Sequence, residues 1–101
     1  MSTFFLKDKQ PPTVISCPGN IYQAIVGSGA NVTWIEPEFT DNVKVVKVTS
    51  TSKPGDYFQL GSVLVQYDAY DHAGLSVSCT FTVTLIGKYV YASVIRVLTS
   101  L

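Results

Sequence analysis

The sequence contains little charge, little histidine and little cysteine. Among its 101 residues, seven are Lys or Arg, seven are Asp or Glu, one is His and two are Cys. The seven basic residues are scattered, so no basic stripe follows a phosphate backbone or an anionic membrane surface. This composition argues against nucleic acid and acidic lipid as partners.

Motifs for catalysis and cofactor binding are also missing. There is no C-x-x-C, no H-E-x-x-H and no phosphate-binding loop. His72 follows Asp71 in a polar loop, where we expect it to be exposed. Glu36 and Glu38 flank Pro37 with no implied cleft, so they do not indicate a glycosidase. The sequence predicts a protein that is not an enzyme and holds neither cofactor nor metal.

A weak Ca²⁺ site is the alternative use of the acidic residues. Oxygen ligands on loops bind Ca²⁺ in many extracellular arrays, although the alternating acidic pattern of an EF-hand is absent. The candidate ligands are Glu36, Glu38, Asp41, Asn42, Asp68 and Asp71.

Long hydrophobic runs are absent as well. The apolar run at 4–6 is shorter than the core of a signal peptide, and the apolar C-terminal stretch is interrupted by Arg96. An extracellular location therefore requires that the chain be part of a larger protein that carries the signal. We expect no membrane insertion by this segment.

The sequence does contain a strong alternation of apolar and polar residues, with a period of two. Apolar residues alternate with polar ones on both sides of "DHAG", which is typical of half-buried strands. Asp71 and Gly74 are suited to the connecting turn, so we predict a hairpin with a loop of four or five residues. The inward residues are Val63, Val65, Tyr67, Ala69, Val77, Cys79, Phe81, Val83 and Leu85.

Shorter strands are predicted at 13–17, 21–26, 31–37, 43–52 and 57–61, with a loop at 36–42 that turns at Asp41 and Asn42. Lys44 and Lys47 are three residues apart and cannot both face water on a regular strand, so we expect a bulge between them. About seven short strands predict an all-β antiparallel sandwich. Its core centre is formed by Trp34, Tyr67 and Phe81.

The two cysteines have two interpretations. Cys79 lies on the inward phase, so a partner should be buried on another strand, and Cys17 is the one available. A bridge would close a loop of about 60 residues. The alternative is a pair of free buried thiols in an intracellular protein.

Two surface features complete the residue-level predictions. Asn31 begins the sequon Asn31-Val32-Thr33 and falls on the phase opposite Trp34, so we expect it to face solvent as a glycosylation candidate. The exposed candidates for partner contacts are Tyr22, Ile35, Phe39, Tyr57 and Tyr70.

Several motifs occur in one order: "PPTVISCPGNI", "VTWIEPEFTDN", "SKPGDYFQLGSVLVQYDAYDHAG" and "CTFTVTL". Together they resemble the HYR (hyalin repeat) domain over residues 11–86. The resemblance implies an immunoglobulin-like, fibronectin type III-like module of extracellular multidomain proteins with a role in cell adhesion. It also implies a Cys17–Cys79 disulfide, core positions at Trp34, Tyr67 and Phe81, and turn positions at Asp41, Asn42, Gly61, Asp71 and Gly74.

The resemblance sets the predicted domain limits. Residues 1–10 are a linker or a vector-derived start, and 11–86 form the HYR-like domain. Residues 87–101 depart from the family. They either extend the last strand or are translated intron, because Gly87-Lys88-Tyr89 matches a splice-donor consensus read in frame.

The predicted function is a non-catalytic extracellular adhesion or interaction module within a larger, repeat-containing glycoprotein. Loops or one sheet face would meet protein or glycan partners, and the ends would meet neighbouring modules. One alternative is a structural spacer appended to a secreted enzyme. Another is an intracellular sandwich with free thiols that binds an extended peptide by strand addition.

Overall fold

The computed structural model describes residues 10–88 of the chain. Eight β-strands occupy this part, and the two longest coincide with the two runs of clear apolar–polar alternation. The strands are β1 (Thr13–Ser16), β2 (Ile21–Ile25), β3 (Gly29–Asn31), β4 (Glu38–Thr40), β5 (Val45–Ser50), β6 (Tyr57–Gln59), β7 (Gly61–Asp71) and β8 (Ser76–Gly87). Within these described residues, no helix is long and apolar enough to span a bilayer.

The described strands form one large sheet and two small ones. The large sheet has the order β2-β8-β7-β5, and the small sheets are β1-β4 and β3-β6. Val32 and Phe58, from the side of the small sheets, pack against the inward residues of β7 and β8 in a single apolar cluster. The predicted all-β, immunoglobulin-like sandwich is therefore confirmed. Its core lies between the large sheet and the small ones.

One strand pair departs from the predicted antiparallel arrangement. β2 pairs with β8 in parallel, with Ile21 opposite Val83 and Ile25 opposite Gly87. The two strands are far apart in the sequence, so no hairpin turn forces them to be antiparallel.

The β7–β8 hairpin forms as the sequence predicts, but Val63, which the alternation predicts to be buried, is 40% exposed near the start of β7. Its four-residue loop is held by Asp71, whose Oδ1 accepts the N–H groups of Ala73 and Leu75 at 2.9 Å each. Gly74 has a φ of 83°, a conformation that other residues rarely adopt. Asp71 is buried, and these two bonds offset part of the cost of removing its carboxylate from water.

The bulge in β5 is also confirmed. The pairing of β5 with β7 is antiparallel, and its register shifts between Val45 and Lys47. The extra residue lets Lys47 share the outward side of the sheet with its partner Tyr70.

The predictions for residues 31–42 are wrong in their limits. The expected strand stops at Asn31, and the expected loop contains β4, which pairs with β1. Beyond Asn31 the backbone of Val32 bonds to a turn: its N–H donates to Asp56 and its carbonyl accepts from Gly55. Pro37 cannot donate a ladder hydrogen bond, which also disfavours a continuous strand.

A disulfide joins Cys17 to Cys79, with their Cα atoms 5.8 Å apart. It links the end of β1 to β8, across a sequence separation of 62 residues. Cys79 is buried, but Cys17 lies one residue beyond β1 and is exposed. The expectation that both cysteines lie buried on strands is therefore wrong for Cys17. β1 ends at Ser16, so Cys17 lies in the irregular segment that leads to β2.

The described chain enters and leaves the sandwich at opposite ends. Thr13 pairs with Thr40, just before the loop that leads to the Asp71 end of the large sheet. Gly87 is at the other end, beside the end of β2. The 11 residues of β7 span about 35 Å at roughly 3.3 Å per residue. Residues 1–9 and 89–101 lie outside the described residues, so both interpretations of the C-terminal tail stay predictions.

Candidate partner-binding surface

A chain of hydrogen bonds fixes residues 34–36 against the large sheet. The Trp34 Nε1–H donates to the phenol oxygen of Tyr67 at 2.9 Å, and the Tyr67 hydroxyl donates to Glu36 Oε2 at 2.9 Å. Trp34 also packs edge-on against Phe81, with the ring centroids 5.3 Å apart. Tyr67 and Phe81 are each about 2% exposed and Trp34 is partly buried beside them. These three rings lie together at the core.

The surroundings of Tyr67 raise the pKa of its phenol above the ordinary value of 10.0. Burial is the largest cause because it disfavours the charged phenolate. The hydrogen bond from the Trp34 N–H lowers this pKa. Glu36 raises it, because its carboxylate accepts a hydrogen bond from the phenol and carries a negative charge. The phenol is therefore neutral at physiological pH and acts as both donor and acceptor.

We expect Tyr67→Phe to lower the free energy of unfolding by about 1–3 kcal/mol at neutral pH, because Trp34 and Glu36 both lose a partner. The loss should shrink above about pH 10. The wild-type phenol, with its raised pKa, contributes stability that is complete below the unfolded-state pKa and is lost as the pH rises through the folded-state pKa. Urea denaturation of both proteins between about pH 7 and pH 11 measures the difference.

The matched control is Tyr22→Phe, which removes an exposed hydroxyl and should change stability by less than about 0.5 kcal/mol at neutral pH. A Tyr67→Phe difference that stays constant or grows above about pH 10 would contradict the raised pKa.

Asp41 and Asn42 occupy the turn between β4 and β5, where the sequence places them. Asp41 Oδ2 accepts the N–H groups of Val43 and Lys44 at 3.1 Å each. Local bonds of this kind are the reason that Asp favours turns. The Asp41 carboxylate thus orders the chain just before the β5 bulge.

The acidic residues considered for Ca²⁺ do not come together. Glu36 bonds to Tyr67, Asp71 bonds to its own loop, and Asp68 lies on the outer side of the large sheet. Within residues 10–88, no group of three or more His, Cys, Asp or Glu side chains is arranged to hold a metal ion. His72, at the tip of the hairpin, is exposed.

The outward side of the four-stranded sheet, here called the outer face, is rich in hydroxyl groups. Its strand registers place Leu64 opposite Thr82 and Ser62 opposite Thr84, and they place Tyr22 beside Thr84. Ser62 and Thr84 hydrogen-bond through their hydroxyls at 2.9 Å. Threonine suits an exposed pleated surface, so β8 forms a regular row of hydroxyls across the middle of this face.

The strand residues that form one half of the outer face are uncharged. Tyr22 is 74% exposed, Leu64 59% and Ile86 45%. We call this half the neutral patch; it consists of Tyr22, Ser62, Leu64, Thr82, Thr84 and Ile86. Three exposed apolar groups interleaved with hydroxyls provide both apolar area and hydrogen-bonding groups.

The other half of the outer face is polar and internally bonded. Asp68 accepts hydrogen bonds from Gln66 Nε2 and Ser78 Oγ. The Lys47 ammonium lies over the Tyr70 ring, 5.4 Å from its centroid. These charged groups already have favourable neighbours in the free protein. Burying them against a partner would therefore add little to the binding free energy.

The sequence identified some of the exposed apolar residues and missed others. Tyr22, Tyr57 and Ile35 are exposed, and Ile35 is 90% so. Phe39 is instead partly buried against the core, because β4 pairs with β1 and directs it inward. Tyr70 is half-buried beneath Lys47.

Leu64 and Ile86 were not anticipated as candidates. Their signal is present in the sequence, because both are apolar residues on the polar phase of a strand. Leu64 shares its phase with Ser62 and Gln66, and Ile86 shares its phase with Thr84. An apolar side chain in such a position is exposed whenever that side of the sheet has no neighbour.

Comparison with known proteins agrees with the resemblance found in the sequence motifs. The model of the HYR domain family matches residues 7–85. Hyalin of Strongylocentrotus purpuratus is 37% identical over 81 residues, covering 77% of this chain and 7% of hyalin. Hyalin of Lytechinus variegatus is 35% identical over 83 residues, covering 78% of this chain and 16% of hyalin.

A second kind of relative is the "Sushi, von Willebrand factor type A, EGF and pentraxin domain-containing protein 1" of Rattus norvegicus. It is 31% identical over 89 residues, which cover 85% of this chain and 2% of that protein. The chain thus spans only a small part of each of these relatives.

Proposed function

Because this chain belongs to the HYR domain family, we propose that it is a non-catalytic adhesion module of a larger extracellular protein. We further propose that it binds a protein partner through the neutral patch. The relatives support the setting: they include hyalins and a protein named for sushi and EGF domains. The Cys17–Cys79 disulfide supports it too, because such bridges persist in oxidising compartments.

The exposed apolar groups of the neutral patch are the observation that carries the choice of surface. The centres of protein interfaces are depleted in charge and enriched in aromatic residues. Tyr22 provides an aromatic anchor, and Leu64 provides an exposed apolar side chain on the neighbouring part of the patch. The hydroxyls of Thr82 and Thr84 can bond to a partner's backbone or side chains. An uncharged protein surface fits this patch best.

The positions of Thr13 and Gly87 at opposite ends of the sandwich favour a second role as a spacer. Successive modules joined at Thr13 and Gly87 would be held about 35 Å apart. A spacer within a secreted enzyme needs only this geometry and no contact through the outer face.

The test compares beads coated with the wild-type chain, with Leu64→Glu and with Leu60→Glu. Leu60 is also exposed, but it lies in the turn between β6 and β7, outside the neutral patch. We expect wild-type beads to adhere to a cell-deposited extracellular matrix. Leu64→Glu should weaken adhesion at least tenfold, equivalent to about 1.4 kcal/mol, while Leu60→Glu should leave it intact.

The controls separate the alternatives. Equal losses in the two variants would show that the neutral patch is not the contact surface. Folded wild-type protein that fails to adhere to any matrix would favour the spacer. Adhesion that survives protease treatment of the matrix but not glycosidase treatment would identify a glycan as the partner instead of a protein.

A further inference from the structure

The sequon lies on the opposite side of the sandwich from the outer face. Asn31 is the last residue of β3 and pairs with Tyr57 of β6. Asn31 and Thr33 are exposed, while Val32 between them is only 2% exposed and belongs to the core. The backbone alternation therefore directs both recognition residues of the sequon to solvent and anchors the segment through its middle residue.

The Asn31 side chain leans over the turn that precedes β6. Its Nδ2 donates a hydrogen bond to the Gly55 carbonyl oxygen at 2.9 Å. Gly55 itself faces open space, since a Cβ atom built there would meet no other atom within 4 Å. The Tyr57 ring lies over Gly29, where a Cβ atom would collide with it.

We propose that Asn31 carries an N-linked glycan that covers the turn at 53–56 and the exposed side of the β3–β6 sheet. The inference rests on the extracellular setting of the proposed function. Asn31 Nδ2 forms a bond to C1 of the first sugar, and one amide hydrogen leaves as a proton. The lipid diphosphate of the oligosaccharide donor departs with the electrons of the broken bond. The second amide hydrogen stays available for Gly55.

A glycan here divides the surface of the module into two. It shields the β3–β6 side from protein contacts and keeps the exposed Tyr57 ring away from other chains. The neutral patch belongs to the other sheet and stays bare. The glycan thus restricts partner binding to the outer face without taking part in it.

The experiment expresses the full chain behind a secretion signal in a glycosylating cell and measures its mass with and without peptide N-glycosidase. We expect a mass excess that the enzyme removes, leaving Asp at position 31 in the peptide mass spectrum. Thr33→Ser preserves the sequon and should retain the glycan. Thr33→Ala leaves Asn31 and its hydrogen bond in place but should abolish the glycan.

A folded, secreted wild-type chain without the mass excess would overturn the proposal, as would an excess that persists in Thr33→Ala. The bead assay keeps this result separate from the proposed function. Unglycosylated Thr33→Ala should adhere within about twofold of wild type, whereas Leu64→Glu should be glycosylated yet adhere at least tenfold more weakly. Loss of adhesion in Thr33→Ala would contradict the inference that the glycan takes no part in partner binding.

Discussion

Removal of the Cys17–Cys79 disulfide is expected to lower the free energy of unfolding by about 4 kcal/mol. The bridge joins residues 62 apart in sequence, and closing a loop of this size restricts the unfolded chain by about that amount in the chain-entropy model. This is a large part of the roughly 5–15 kcal/mol that stabilises a typical domain. The reduced protein should therefore be marginally folded at physiological temperature.

The suitable variant is Cys17→Ser combined with Cys79→Val. Cys17 is exposed and tolerates a hydroxyl, whereas Cys79 is buried, so an apolar residue avoids an unsatisfied polar group there. Urea denaturation followed by the fluorescence of Trp34, the one tryptophan in the chain, measures the change. Free energies extrapolated to water should be compared, because loss of the bridge also increases the surface that unfolding exposes.

Chemical reduction of the wild-type protein provides the control. The reduced protein and the double variant should unfold at similar urea concentrations, well below the oxidised protein. Equal stability of the oxidised protein and the double variant would show that the bridge contributes nothing to the free energy of unfolding. It would also weaken the argument for an extracellular module, which relies partly on the disulfide.

Phe81→Ala is expected to destabilise the protein by about 3–5 kcal/mol. The Phe81 ring is about 2% exposed, contacts Trp34 edge-on and stacks on Tyr67 at a centroid distance of 6.4 Å. Its loss removes these apolar contacts and leaves a cavity beside Trp34 and Tyr67, whose rings are held in place by a hydrogen bond to each other. Thermal and urea unfolding measure the effect.

Tyr22→Ala is the matched control, since it removes an aromatic ring that is 74% exposed on the same sheet. Its cost should be below about 1 kcal/mol. Phe81→Leu should fall between the two because the smaller side chain fills part of the space. A Phe81→Ala loss no greater than that of Tyr22→Ala would contradict the location of the core between the two layers.

The β7–β8 hairpin could be predicted from sequence because its information is local. Alternation fixed the inward set around Val65 and Phe81, and the turn chemistry of Asp71 and Gly74 fixed the loop. The spacing of two lysines was enough to predict the bulge in β5. Each of these features depends on residues within a few positions of one another.

The short strands could not be predicted in the same way. β4 is three residues long and exists because β1, far upstream, provides its hydrogen-bonding partner. Likewise, Trp34 and Glu36 meet Tyr67 across sequence separations of 33 and 31 residues. Non-local pairs of this kind leave no periodic signal, which is why the strand predicted through 31–37 and the exposure predicted for Phe39 were wrong.

The sequence by itself determined the β class, the inward residues of the long hairpin and the HYR resemblance, since periodicity, turn residues and ordered motifs are properties of the chain alone. Only the tertiary structure decided which sheet sides stay open, because burial depends on which layers pack together. The packing left Leu64 exposed on the outer face, partly buried Phe39, and placed Asn31 on the other side of the sandwich.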